Sequence, residues 1–266
     1  VGSEMCIRDR AEAHFLLGRA AFDQGDFKSS ISHMAEAKTL DPQKYGEQVN
    51  VLSVLSYHKL QDVNKLKEAL ETLQKENPSA VARVPDVIPA WLGLQAYGMK
   101  DLETADKYMT WATQNDQLQN VKKVIWRNLA KVRLALKKYD RALVASNNFL
   151  KDEDQPYRRA DGMLDKASIL LGLGKYSDAR KTAEEALALG VEGPLMASLK
   201  IVLGDISYAE KKFDEAAKHY GVTAELFVND AELKPKALFK AAEALDKAGR
   251  KSEACLLYTS DAADEE

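Results

Sequence analysis

At 266 residues, with 45 % hydrophobic and 30 % charged side chains, the chain has the composition of a folded soluble protein and not of a disordered one. A net charge of −3, in short blocks of mixed sign, argues against a nucleic-acid binder with a basic stripe. No apolar run approaches the ~18 residues that a membrane span needs.

A segment near the middle, Leu164–Gly190, gives the pattern for the rest. It holds two helical stretches parted by Gly172-Leu173-Gly174-Lys175, with small residues at Ala167, Ala179, Ala183 and Ala186. Shifted along the chain, the same layout predicts helical hairpins beginning near Ala11, Glu47, Asp86, Lys123, Ala160, Ala197 and Pro235, in steps of 36, 39, 37, 37, 37 and 38 residues. A recurring period in this range is the signature of a helical solenoid. Each first helix carries a mid-helix residue that is small in all but one case: Gly18, Val54, Gly93, Ala130, Ala167, Gly204 and Ala242. Each second helix opens at Phe27, Val63, Leu102, Tyr139, Tyr176, Phe213 or Lys251 and returns a small residue three positions on in most copies (Ser30, Leu66, Ala105, Ala142, Ala179, Ala216, Ala254). Two helices approach to ~8–10 Å only where facing side chains are small, with larger ones filling the surrounding holes.

Punctuation gives the same boundaries. The seven prolines (Pro42, Pro78, Pro85, Pro89, Pro156, Pro194 and Pro235) fall between predicted hairpins or in a first turn, where they break no helical hydrogen bond. Gly25, Gly174 and Gly249 share one turn position suited to a left-handed residue. The second hairpin departs from the rule through Val54, Leu66 and Leu73, and residues 77–89 carry three prolines. A local distortion, or a junction between two groups of repeats, is expected there. Lys166 stands where leucine is usual and is expected to be partly exposed, its stem covering apolar surface.

The layout resembles the tetratricopeptide repeat, a helix-turn-helix of about 34 residues. The first hairpin matches through Leu17, Gly18, Phe27, Ala37 and Pro42, and the fourth through Trp126, Leu129, Ala130, Tyr139, Ala142 and Phe149. The fifth matches through Ala167, Tyr176, Ala179 and Ala186, and the sixth through Leu203, Gly204, Phe213 and Ala216. The resemblance covers 11–254 and implies an all-α solenoid, a right-handed superhelix of about seven hairpins. One hairpin cannot bury its own apolar face, so neighbours must stack to supply a core.

The ends differ from this body. Val1–Arg10 and Cys255–Glu266 do not continue the neighbouring pattern, and both resemble translated adapter or read-end sequence of an environmental gene fragment. They are therefore set apart as residues 1–10 and 255–266. The first ten residues are neutral, with Arg8 and Arg10 against Glu4 and Asp9, and the last twelve carry four acids (Asp261, Asp264, Glu265 and Glu266). The net −3 of the whole chain thus leaves +1 for the body. Both cysteines, Cys6 and Cys255, lie in these ends, so the body has no disulfide or thiolate chemistry. The last hairpin is expected to be cut off after Ala254.

Chemistry is scarce. The chain shows no Walker-type phosphate loop, no HExxH, no GxSxG and no paired cysteines. His14, His33, His58 and His219 are expected on separate hairpins with no shared ligand spacing, and acids such as Glu184-Glu185 face solvent as sequence neighbours. No catalysis, cofactor or metal is expected.

The resemblance points instead to a groove, because in tetratricopeptide-repeat proteins the first helices line a concave face that receives peptides. By register that face presents Phe15 and Arg19, then Val51, Leu55 and His58, then Ala90, Leu94 and Tyr97. It continues with Arg127 and Lys131, Leu164 and Ser168, and Ile201, Asp205 and Tyr208. The family's Lys/Asn/Arg clamp for a chaperone tail is missing across three consecutive hairpins. The expected partner-binding patch is Trp91, Tyr97, Arg127, Asn128 and Lys131, with Asp161 and Asp165 beyond it. Aromatics beside cations suit a peptide with an apolar anchor and an acidic group. The expected function is a non-catalytic protein–protein interaction scaffold for a protein or peptide, without nucleic acid. Two alternatives remain at this level: the repeat region of a larger enzyme, and a structural part of a bacterial envelope or secretion assembly. The second arises because ALFKAAEALDKAGRKSEA resembles repeats of periplasmic envelope proteins, which also occur in the cytoplasm.

Overall fold

In a computed structural model, residues 2–114, 119–151 and 153–263 are described. Among them are fourteen α-helices, one 3-10 helix and no strand. The helices pair along the chain: α1 (Gly2–Asp23) with α2 (Phe27–Leu40), α3 (Pro42–Lys59) with α4 (Val63–Glu76), and α5 (Val87–Gly98) with α6 (Leu102–Ala112). Then come α7 (Gln119–Ala135) with α8 (Tyr139–Lys151), and α9 (Pro156–Gly172) with α10 (Tyr176–Leu187). The last pairs are α11 (Gly193–Ala209) with α12 (Phe213–Leu226) and α13 (Leu233–Lys247) with α14 (Lys251–Ala263). The fold is an all-α solenoid built from helical hairpins. Proline sets several starts: Pro42, Pro156 and Pro194 occupy the first positions of α3, α9 and α11, where the missing N–H costs nothing.

One backbone device closes all seven hairpins. A left-handed residue stands two positions before the first residue of the second helix: Gly25, Gln61, Lys100, Lys137, Gly174, Lys211 and Gly249, with φ between 55° and 83°. Glycine occupies three of these positions, and glutamine or lysine tolerates the strain at four.

The chain forms two compact units, residues 1–125 and 126–266, with the division inside α7. Residues 77–89 lie within the first unit, where Pro78–Arg83 form the 3-10 helix. One core of the first unit gathers Val54, Leu66, Leu70 and Leu73 with Ala80, Val84, Ile88, Leu92 and Tyr108. The large residues that break the small-residue rule in the second hairpin are therefore core, filling what alanines leave open elsewhere. A smaller cluster of Ala11, Met34, Ala37, Tyr45 and Val49 joins α1 to α3. Among the described glycines the close approach to another helix's backbone is at Gly93, where a Cβ would stand 2.9 Å from the Met109 backbone nitrogen.

In the second unit, Phe149, Ala160, Ala167, Leu170, Ala179, Ala183, Leu199 and Leu203 belong to one cluster, and Ala216, Tyr220, Ala241, Ala242 and Leu245 to another. The alanines are the packing devices that the sequence register implied, each fully or almost fully buried. Leu203 sits beneath the second helix of the preceding hairpin, as Leu92 does in the first unit. Leu17 holds the same register position and remains 53 % exposed, because no described helix lies ahead of α1 to cover it. Lys166 is half-buried, as a snorkelling lysine should be. No helix among the described residues is long and apolar enough to cross a membrane.

Candidate partner-binding faces

The face of the first helices in the first unit is apolar and aromatic. Phe15, Val51, Leu55, His58, Trp91, Leu94 and Tyr97 are all half-buried. Phe15 stacks on Tyr45 at 4.8 Å, and the edge of His58 meets Trp91 at 5.4 Å. Burial, and to a smaller extent Lys59, holds the His58 imidazole below its usual range, so it stays neutral beside the indole. Ala90, expected on this face, is buried instead. It directly precedes Trp91 on α5, and so small a side chain is readily covered by its neighbours.

The second unit presents charge. Its α7 carries Arg127, Asn128 and Lys131, and its α9 carries Asp161 and Asp165, all half-buried. These are the residues that the sequence singled out, and the fold joins four of them in two pairs. Arg127 forms an ion pair with Asp161, and Lys131 Nζ lies 3.8 Å from Asp165 Oδ2. Arg127 also lies over the Phe149 ring, at 5.9 Å. At 3.8 Å the Lys131 contact is an ion pair and not a hydrogen bond, and Asp165 Oδ2 finds no hydrogen-bond partner among the described residues. Burial therefore dominates and pushes the Asp165 carboxyl up to about 6, with Lys131 and Arg127 only partly offsetting it.

Farther along, Asp205 of α11 accepts from the Tyr220 hydroxyl at 2.6 Å and from Lys240 Nζ at 2.7 Å. Burial, reinforced by that carboxylate, pushes the Tyr220 hydroxyl far up, keeping it a donor. Tyr208 turns its edge to Phe213, and Ile201 is buried in the core beneath α12 and α13, off the expected face.

The histidines need one correction. His14 and His33 belong to the same hairpin, and α1 and α2 bring their Nδ1 atoms to 3.1 Å. One ring donates to the other, a satisfied pair on facing helices. No group of three or more metal-binding side chains occurs among the described residues.

Residues 4–45 and 164–226 match the family described as Tetratricopeptide repeat. Within those two stretches the chain carries tetratricopeptide repeats. The matched stretches cover the first hairpin and most of the fifth and sixth, two of the three in which a first-helix glycine meets the second helix. No curated protein sequence matches the chain. Solved structures share the fold. The Naa15/Naa10 complex bound to HypK-THB has a TM-score of 0.59 at 15 % identity, over 96 % of this chain and 37 % of that one. The apo quorum sensor NprR from B. thuringiensis scores 0.56 at 18 % identity, over 98 % and 78 %. Apo RapI also scores 0.56, at 15 % identity, over 94 % and 75 %. At these identities the likeness is one of fold. Tetratricopeptide repeats generally mediate protein–protein interaction.

Sequence reading missed Arg83, Gln48 and Leu52, which stand with Phe15, Arg19 and Val51 around one cavity of the first unit. The available signal for Arg83 was an arginine inside a proline-bounded stretch, PSAVARVP, too stiff to continue α4.

Proposed function

We propose that the chain is a non-catalytic interaction scaffold that holds a peptide or a partner protein against the exposed face of its first helices. The observation that supports this is the row of half-buried apolar and aromatic side chains that α1, α3 and α5 leave at the surface. Hairpin interiors are closed by fully buried residues such as Leu66, Leu70, Tyr108 and Phe149, so that row does not serve hairpin closure alone. Half-buried aromatics with polar neighbours are what interface hot spots are made of. Trp91 and Tyr97 are the proposed contacts in the first unit. In the second, Arg127, Asn128, Lys131, Asp161 and Asp165 offer a charge pattern that selects partners by register.

A peptide library displayed on phage and panned against the full chain tests the reading. Enriched peptides should lose most of their binding with Tyr97→Ala or Lys131→Glu and keep it with Lys181→Glu, on the exposed side of α10. Circular dichroism confirms that each variant is folded. Peptides indifferent to every first-helix substitution would sink the proposal.

A further inference from the structure

A cavity of about 260 Å³ in the first unit combines groups from three separate elements. Phe15 and Arg19 project from one face of α1, four positions apart, and Gln48, Val51 and Leu52 from one face of α3. Arg83 arrives from outside the hairpins, on the 3-10 helix Pro78–Arg83. Pro78 opens that short helix, and Pro85 and Pro89 follow it, so the stretch cannot straighten into a continuation of α4.

The cavity has a fixed apolar floor and a cationic rim. Phe15 is held by its stack on buried Tyr45, and Val51 and Leu52 pack against the cores of this unit. Arg83 is oriented by Glu47, whose Oε1 lies 2.7 Å from Nη1. A guanidinium carries five N–H donors in a fork, so one carboxylate leaves it able to take a second. Arg19 is exposed and pairs with no carboxylate among the described residues. Two guanidiniums beside an apolar floor are poorly served by a neutral peptide, which would cover charge without replacing its water. A bare anion would leave the floor unused.

We propose that this cavity captures a peptide segment in which one aromatic or branched aliphatic side chain lies next to Asp or Glu. The apolar side chain fills the space above Phe15, Val51 and Leu52. The carboxylates engage Arg19 and the free edge of Arg83, and Gln48 hydrogen-bonds the peptide backbone. This rests on the scaffold reading and names the ligand class for one part of that surface.

The probe is Gly-Ser-Glu-Phe-Glu-Ser-Gly, capped at its N-terminus with an uncharged dansyl group and amidated at its C-terminus so that no terminal carboxylate contributes. Fluorescence anisotropy with the full chain should show saturable binding that weakens with added salt. Arg19→Ala and Arg83→Ala should each weaken it by about tenfold or more. Replacing both glutamates of the probe by glutamine, or its phenylalanine by alanine, should cost at least as much. Both arginines are exposed, so their variants should keep the parent's helical content by circular dichroism.

Absence of saturable binding by the probe overturns the inference, as does equal binding of the glutamine version or indifference to both arginine variants. Panned peptides that depend on Tyr97 or Lys131 but not on Arg19 and Arg83 would overturn it and leave the scaffold reading standing. Peptides indifferent to all four positions would remove both.

Discussion

The two units solve the same hairpin turn in opposite ways. In the first, the residue before each second helix is aspartate: Asp26, Asp62 and Asp101 accept from the backbone N–H of Ser29, Lys65 and Thr104 at 3.1, 3.0 and 3.1 Å. In the second, that position is basic, with Lys175 and Lys212 making no cap to α10 and α12. The backbone barely differs: Asp26 has φ −84° and ψ 76°, and Lys175 has φ −86° and ψ 63°. What replaces the cap is charge from elsewhere. Acids move into the first turns, as Asp178, Asp214 and Glu215, where the helix dipole favours them. Long-range pairs then bind hairpin to hairpin. Arg180 reaches Glu210 and Glu215 at 2.7 Å each, and Arg250 reaches Asp214 at 2.9 Å. The first unit thus starts its second helices with a side-chain cap, while α10 and α12 of the second unit have only their ties to the next hairpin; the first unit has such ties as well, as from Lys67 of α4 to Thr104 at 2.7 Å. The exposed faces follow the same division, apolar and aromatic in one unit and mutually paired charge in the other. On the reading proposed above, a partner with an acidic group and an apolar anchor is better served by the first.

Five substitutions test that contrast. Gly93→Ala should be the most damaging, costing about 2–3 kcal/mol, because the added Cβ meets the Met109 backbone, which cannot give way as a side chain can. Hydrogen exchange should quicken in α5 and α6 and change little in α11 and α12. Uniform loss across both units would break the contrast.

Asp165→Asn probes the charged face through pH. Burial raises the folded-state value from the ordinary 3.8 to about 6, so the folded chain holds this proton more tightly than the unfolded chain. The stabilisation from protonation is fully present below 3.8 and is lost as pH rises through about 6. The variant should match the parent near pH 4 and exceed it by about 2–3 kcal/mol at pH 7 in urea unfolding, with a flatter slope between. A variant weaker than its parent at pH 7 would mean that the Lys131 pair outweighs burial.

Removing the inter-hairpin tie with Arg180→Ala should cost about 1–2 kcal/mol at low salt, since the guanidinium is only one-fifth exposed. Repeating the melt in 1 M salt should narrow the difference, whereas the Gly93→Ala deficit should not respond. Smallest is the cap exchange. Asp62→Ala should lose about 1 kcal/mol and Lys175→Asp should gain about 0.5–1 kcal/mol, both read from urea midpoints. No gain at Lys175 would show that the second unit's helices depend on its charge there.

Much of the fold was legible because its signals are local. A proline at a helix start, a small residue in most repeats and an aromatic at four of the seven turns act through the 3.6-residue period of their own helix, which can be read without partners. The glycine signal was narrower than the device it marked: Gln61, Lys100, Lys137 and Lys211 take the same left-handed turn as Gly25, Gly174 and Gly249. Their strain is offset by the helix-ending backbone bonds of the turn, such as Asp62 N–H to Tyr57 O at 3.1 Å and Asp101 N–H to Ala96 O at 2.9 Å, which any side chain allows. The candidate site was legible only as a set of names. Register placed Arg127, Lys131, Asp161 and Asp165 on first helices, but not that Arg127 would pair with Asp161 and Lys131 with Asp165.

The sequence by itself determined the all-α fold and its build from repeated helical hairpins. The tertiary structure alone decided which charges meet one repeat apart, which acid loses its water at Asp165, and that Arg83 stands beside Phe15 and Arg19 over one cavity. The reason is physical: helix periodicity is fixed within a few residues, whereas the spacing between side chains of different hairpins is set by how the whole hairpins pack.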